Sequence, residues 1–209
     1  AHGQKNIDVQ NKDIPSMRTA NSYTVANQDG SFTNTNHSHP IHFKDEQGLK
    51  PIDLNIIANP GLKNPEYPFV NPSNTLKSYI PSEISQGLLT ETEAGFKIKD
   101  FKNPRIYAEM QGASIINPQF INESTVQVLG DKAVFPNIYN DIDLSVQMDF
   151  GRRKADYIIN SAEVLSNFPE NANYLVFEEE VVLPENWYAE IKDEVIVILN
   201  EQHKQMASF

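Results

Sequence analysis

From Asp143 to Phe150 the side chains alternate. Leu144, Val146, Met148 and Phe150 are apolar, and Asp143, Ser145, Gln147 and Asp149 between them are polar. A period of two places each set on its own face of a β-strand. Gly151-Arg152 interrupts the run, and glycine supplies the positive φ of a tight turn. The chain returns over Lys154–Asn160, where Ala155, Tyr157 and Ile159 alternate with Asp156 and Ile158. The pattern predicts a hairpin with Leu144 and its even-numbered neighbours inward. One buried face requires a second layer to cover it.

The same pattern, more weakly expressed, runs through the rest of the chain. Strands are predicted over 21–26 and 31–35 around the turn Asn27-Gln28-Asp29-Gly30, then over 41–45 and 50–57 around Glu46-Gln47-Gly48. Between Asn59 and Pro81 lie Pro60, Pro65, Pro68, Pro72 and Pro81. Proline removes ladder donors, so an irregular loop crossing between sheets is expected there, with one helical turn over 75–80. Further strands are predicted over 96–101, 105–110, 124–129 and 133–135, with a short helix over 161–168 capped by Ser161. Residues 174–183 read as a strand with Glu178-Glu179-Glu180 marking an exposed edge. Segments 187–191 and 195–199 pair, and Val195-Ile196-Val197-Ile198-Leu199 lacks alternation, which predicts burial on both faces.

About ten short antiparallel strands at turn spacing predict an all-β, β-sandwich-like fold with one Pro-rich crossover loop and at most one short helix. Residues 1–18 are polar and aperiodic, and are expected to form an extended arm. Residues 19–209 are expected to form a single domain that continues into downstream domains.

Composition narrows the function. The 209 residues carry 28 Asp and Glu against 17 Lys and Arg, a net charge of −11. That balance argues against nucleic acid or an anionic membrane as partner, because phosphate binding draws on clustered cations. The one basic cluster, Arg152-Arg153-Lys154, falls at the hairpin tip and reads as a solvated turn. With no cysteine, disulfides, zinc–thiolate sites and thiol nucleophiles are excluded. No run approaches the roughly 18 apolar residues of a membrane helix.

Candidate chemistry is sparse. His37 and His39 share a face of an extended chain and could clamp a metal with a carboxylate such as Asp45; a solvated turn rich in Ser, Asn and His is the favoured explanation. Asn27–Gly30 superficially fits a calcium loop, but Val25 and Asn36 stand where that loop needs its first acid and its glutamate. Asp141, Asp143 and Asp149 form an acidic group that could bind calcium or act as an acid and base, with Asp141 at the strand entrance the most suggestive. Trp187-Tyr188 could stack on a sugar or anchor the core. There is no serine elbow and no glycine-rich phosphate loop, so no enzyme activity and no cofactor are expected.

Several segments resemble one family. They are Arg18-Thr19, Tyr23, Asp29-Gly30-Ser31-Phe32-Thr33, Pro40–Asp45 with Gly48, and Ile52-Asp53. In the second half they are Phe135–Tyr139, Asp141–Leu144 and Lys154–Ile159. Together they resemble the N-terminal domain of large secreted bacterial surface proteins of the wall-associated and RHS-repeat type, some followed by DNRLRE modules. Similar blocks occur in Bacteroidetes adhesin-like proteins exported by the type IX system. Leu49 stands where the family places Trp, and Ala155 where it places an acid or Tyr. The resemblance implies a non-enzymatic extracellular module that displays or supports downstream domains, with secretion machinery or surface glycans as partners. Two alternatives remain open: a carbohydrate-binding module using Trp187, Tyr188 and Asp141, and the non-catalytic front of a secreted toxin or hydrolase.

Overall fold

The structure is a computed structural model, and it describes residues 12–59, 66–110 and 116–208. The described residues form nineteen strands and three short 3-10 helices. In chain order the first strands are β1 (Lys12–Asp13), β2 (Ser22–Ala26), β3 (Phe32–Asn36), β4 (His42–Asp45) and β5 (Gly48–Pro51). Next come β6 (Ile57–Ala58), β7 (Phe69–Asn71), β8 (Leu76–Ile80), β9 (Leu88–Thr92), β10 (Lys97–Glu109) and β11 (Ile116–Phe120). β12 (Gln127–Leu129), β13 (Lys132–Tyr139), β14 (Ile142–Asp149) and β15 (Arg152–Ile159) follow. The last are β16 (Tyr174–Val182), β17 (Tyr188–Lys192), β18 (Val195–Leu199) and β19 (Gln205–Ser208). The fold is all-β and sandwich-like, with every named strand pair antiparallel.

Two sheets make the sandwich. One is a meander from β6 to β11 with β16 added alongside β10, and the other is β12-β13-β14-β15. Their shared core takes Ile80, Ile84, Leu88 and Ile106 from the first half and Phe135, Leu144, Val146 and Met148 from the central strands. The ladder explains why these side chains meet. Ala133 lies opposite Val146, and Phe135 opposite Leu144. Across β15, Leu144 faces Tyr157, Val146 faces Ala155 and Met148 faces Arg153. Residues directly opposite one another share a face, so this row forms one inner surface.

The expected hairpin is present, with the two-residue turn Phe150-Gly151 and Gly151 at φ 70°. A Cβ at Gly151 would lie 3.0 Å from Pro40, so both conformation and space favour glycine. Three details differ from the alternation. Ser145, on the outer face, is buried, Phe150 is a half-buried turn residue, and Ile159, in the set with Ala155 and Tyr157, is exposed. The Asn27–Gly30 turn also forms: Asp29 accepts from the Ser31 hydroxyl at 2.7 Å and from its backbone N–H at 2.9 Å, and these bonds hold its carboxyl below the usual range.

Other expectations need correction. The Pro-rich segment does not cross between sheets. Within 66–81 it contributes β7 and β8, neighbours in one meander, and of residues 75–80 all but the bend at Thr75 are strand, with no helical turn. Its prolines fall at strand ends and between strands, where no ladder donor is lost; the part over 60–65 lies outside the described residues. Segments 96–101 and 105–110 are one strand, β10. Phe101 and Asn103 take φ 53° and 48° there, and the register against β16 shifts on both sides of Lys102. These bulges carry Pro104 through the ladder without breaking it. Strand 50–57 ends at Pro51. Strands β9, β11 and β19 had no sequence expectation. Residues 161–168 give a 3-10 helix, Ala162–Asn167, and Ser161 caps it by accepting from the Glu163 N–H.

The part of the expected arm that is described, 12–18, is folded. β1 pairs with β2, and Arg18 ion-pairs with Asp13 while donating to the Leu49 carbonyl at 3.0 Å. The arm's first eleven residues lie outside the described range. Only Val197, Ile198 and Leu199 of 195–199 are buried; Val195 and Ile196 are exposed, and they are the two residues that β17 pairs but β19 does not.

Candidate functional site

At the end of the sandwich marked by the β14–β15 turn, the sheets part and leave a cleft of about 540 Å³. Its walls come from β8, β9 and β10 on one side, the turn at Gly151–Arg153 on another, and β19 at the mouth. The turn is fixed in place by Asn74. That side chain donates to the Asp149 carbonyl at 2.9 Å and accepts from the Gly151 N–H at 3.1 Å.

A buried ion pair lies at the closed end of the cleft. Arg153 and Asp100 bond directly, with side chains 9% and 3% exposed. Arg153 also donates to Thr90 Oγ1 at 2.9 Å. Asp100 Oδ1 has no hydrogen-bond partner. Burial pushes the Asp100 carboxyl up, against the opposing pull of the Arg153 guanidinium. Parity along each strand explains why these charges are inside. Asp100 follows buried Ile98 by two residues, and Arg153 precedes inward Ala155 and Tyr157 by two and four.

Beside this pair lies Glu179, half-buried on β16. Burial and then the Asp100 charge push its carboxyl up to about 7, with Arg153 opposing. Tyr157 stacks on Phe177 with ring centroids 4.1 Å apart. Burial, with Glu179 and Tyr139 nearby, pushes the Tyr157 phenol up. The flanking glutamates point outward: Glu178 pairs with Arg105, and Glu180 accepts from Asn103 at 2.8 Å. Among the described residues β16 pairs with β10 alone, so the expected edge is real, but its middle acid turns into the sandwich.

The basic cluster is not a solvated turn throughout. Arg152 is exposed and pairs with Asp149, Lys154 pairs with Asp156, and Arg153 is the buried partner of Asp100.

The residues singled out from sequence do not converge. Asp141, in the turn before β14 at φ 56°, accepts the Asn160 N–H through its carbonyl. Asp149 ends the same strand, roughly 25 Å away at strand rise. Asp143 accepts from the Asn137 N–H at 2.7 Å, and Asp149 is held low by the Phe150 N–H and Arg152. Trp187 packs on Phe96 at 4.8 Å between centroids, and Tyr188 hydrogen-bonds His203. His37 and His39 stand 5.7 Å apart in a row of rings running from Tyr23 to Phe150. Among the described residues no three His, Cys, Asp or Glu side chains gather as a metal site, Asp45 with the histidines included. Also among the described residues, no helix is long and apolar enough to cross a membrane.

Comparison with protein-family models, with curated proteins and with solved structures finds no match for this chain.

Proposed function

We propose that this chain is a non-enzymatic structural and adhesive module of a large secreted bacterial surface protein, acting outside the cell. The observation that carries this is the shared core. Two sheets are packed through one row of apolar side chains and pinned at one end by the Arg153–Asp100 pair. Such a frame holds turns and strand ends in fixed relation, as a display or connecting module requires. The acidic surface and the absence of cysteine suit a bacterial protein that holds its fold without disulfides. Its partners would be downstream domains of the same polypeptide and glycans at the cell surface, with export by a route of the type IX kind.

Antibodies raised against the chain and applied to intact, unpermeabilised source cells test this. Surface labelling is the expected result. Signal that appears only after permeabilisation would overturn it, as would substrate turnover by the isolated chain.

A further inference from the structure

The cleft above Asp100 has a chemistry that its role in the frame does not use. It combines three features. The buried Arg153–Asp100 pair, with no net charge, contributes to its lining. Hydroxyl side chains line the walls, among them Thr75, Ser78 and Thr92. Leu76, Ile98 and Met206 supply an aliphatic surface beside them. Hydroxyl side chains both donate and accept, and so match ligand groups that do the same. The charges cancel locally: Arg153 is committed to Asp100 and Arg152 to Asp149. An anionic ligand would find no free cation at the cleft floor, and would meet the Asp100 carboxylate there. The volume, about 540 Å³, falls within the usual range for small-ligand sites.

We propose that this cleft binds a neutral polyhydroxylated ligand, the pyranose unit of a glycan, with ligand hydroxyls exchanging hydrogen bonds with the wall hydroxyls of Thr75 and Thr92 and the C–H face of the ring against Leu76 and Met206. The inference deepens the adhesive reading given above and rests on it for the source of the glycan. It assigns recognition to the Asp100 cleft, away from Trp187 and Tyr188.

The test is a titration of the isotope-labelled chain followed by amide chemical shifts. Glucose, galactose, mannose and N-acetylglucosamine are the probes, each taken to about 50 mM, enough to fill most of a site with a millimolar Kd. At least one sugar is expected to give saturable shifts centred on Thr90, Asp100 and Arg153. Gln205 is exposed at the cleft mouth, and Gln205→Trp should close the cleft and weaken binding at least tenfold with the melting temperature unchanged. Ser208→Trp serves the same purpose if the first variant melts early. Absence of saturable shifts with all four sugars overturns the proposal. So does a response centred on Trp187, or a folded mouth variant that binds like the parent chain. None of these results touches the surface-labelling outcome, so the two readings fail separately.

Discussion

Asp100 and Arg153 are the residues on which the fold and the cleft both turn. Each sits at an inward position of an alternating strand, where an unpaired charge would be costly. Removing one partner strands the other, and such breaks cost about 3–5 kcal/mol. Asp100→Asn should therefore lower the stability measured by urea unfolding by that amount. The double replacement Asp100→Leu with Arg153→Met should recover most of it, because a packed apolar pair removes both desolvation costs. If the double variant is no more stable than the single, the pair is not isolated in the way the structure shows. Glu179 gives a pH signature. Its ordinary value is 4.5 and its folded value about 7. Between those values the native chain keeps a proton that the unfolded chain has released, so stability falls as pH rises through that window. Raised Asp100 adds in the same direction. Glu179→Gln should melt higher than the parent at about pH 8 and match it at about pH 4; equal melting at both would place Glu179 in water.

Among the elements, the β14–β15 hairpin is legible because the alternation from Asp143 to Phe150 is uninterrupted and the turn contains glycine. The same parity carried the ion pair, since Asp100 in Lys97–Asp100 and Arg153 before Ala155 both fall in the inward register. Reading Arg152-Arg153-Lys154 as one charged turn hid it, although opposite charges at two inward positions were the available signal. The two strands read over 96–101 and 105–110 are one, β10, because bulges at Phe101 and Asn103 let the ladder continue past Pro104. Sheet order was not readable, because ladder partners of β10 such as Val176 and Phe177 are some seventy residues away and no local pattern pairs them. The candidate residues Asp141, Trp187, Tyr188, His37 and His39 were chosen by type, and type alone does not bring side chains together. The hairpin makes its own prediction. Met148 is 1% exposed and Gln147 faces solvent. Met148→Asp should cost on the order of 3 kcal/mol or more, and Gln147→Asp less than about 0.5, in thermal melts. Equal costs would mean the two faces are exchanged.

For the whole molecule, the role as a supporting module depends on the two sheets behaving as one body. Their core is common, and Arg153–Asp100 crosses between them, so opening one sheet exposes apolar surface of the other. Native-state hydrogen exchange reads this directly, because amides that open together share one free energy. The slowest amides should lie in β13, β14 and β15 and in β8, β9 and β10, and should converge on a single opening free energy equal to that of global unfolding. Two distinct values, one for each sheet, would contradict a shared core and with it the rigid frame on which the proposed function rests.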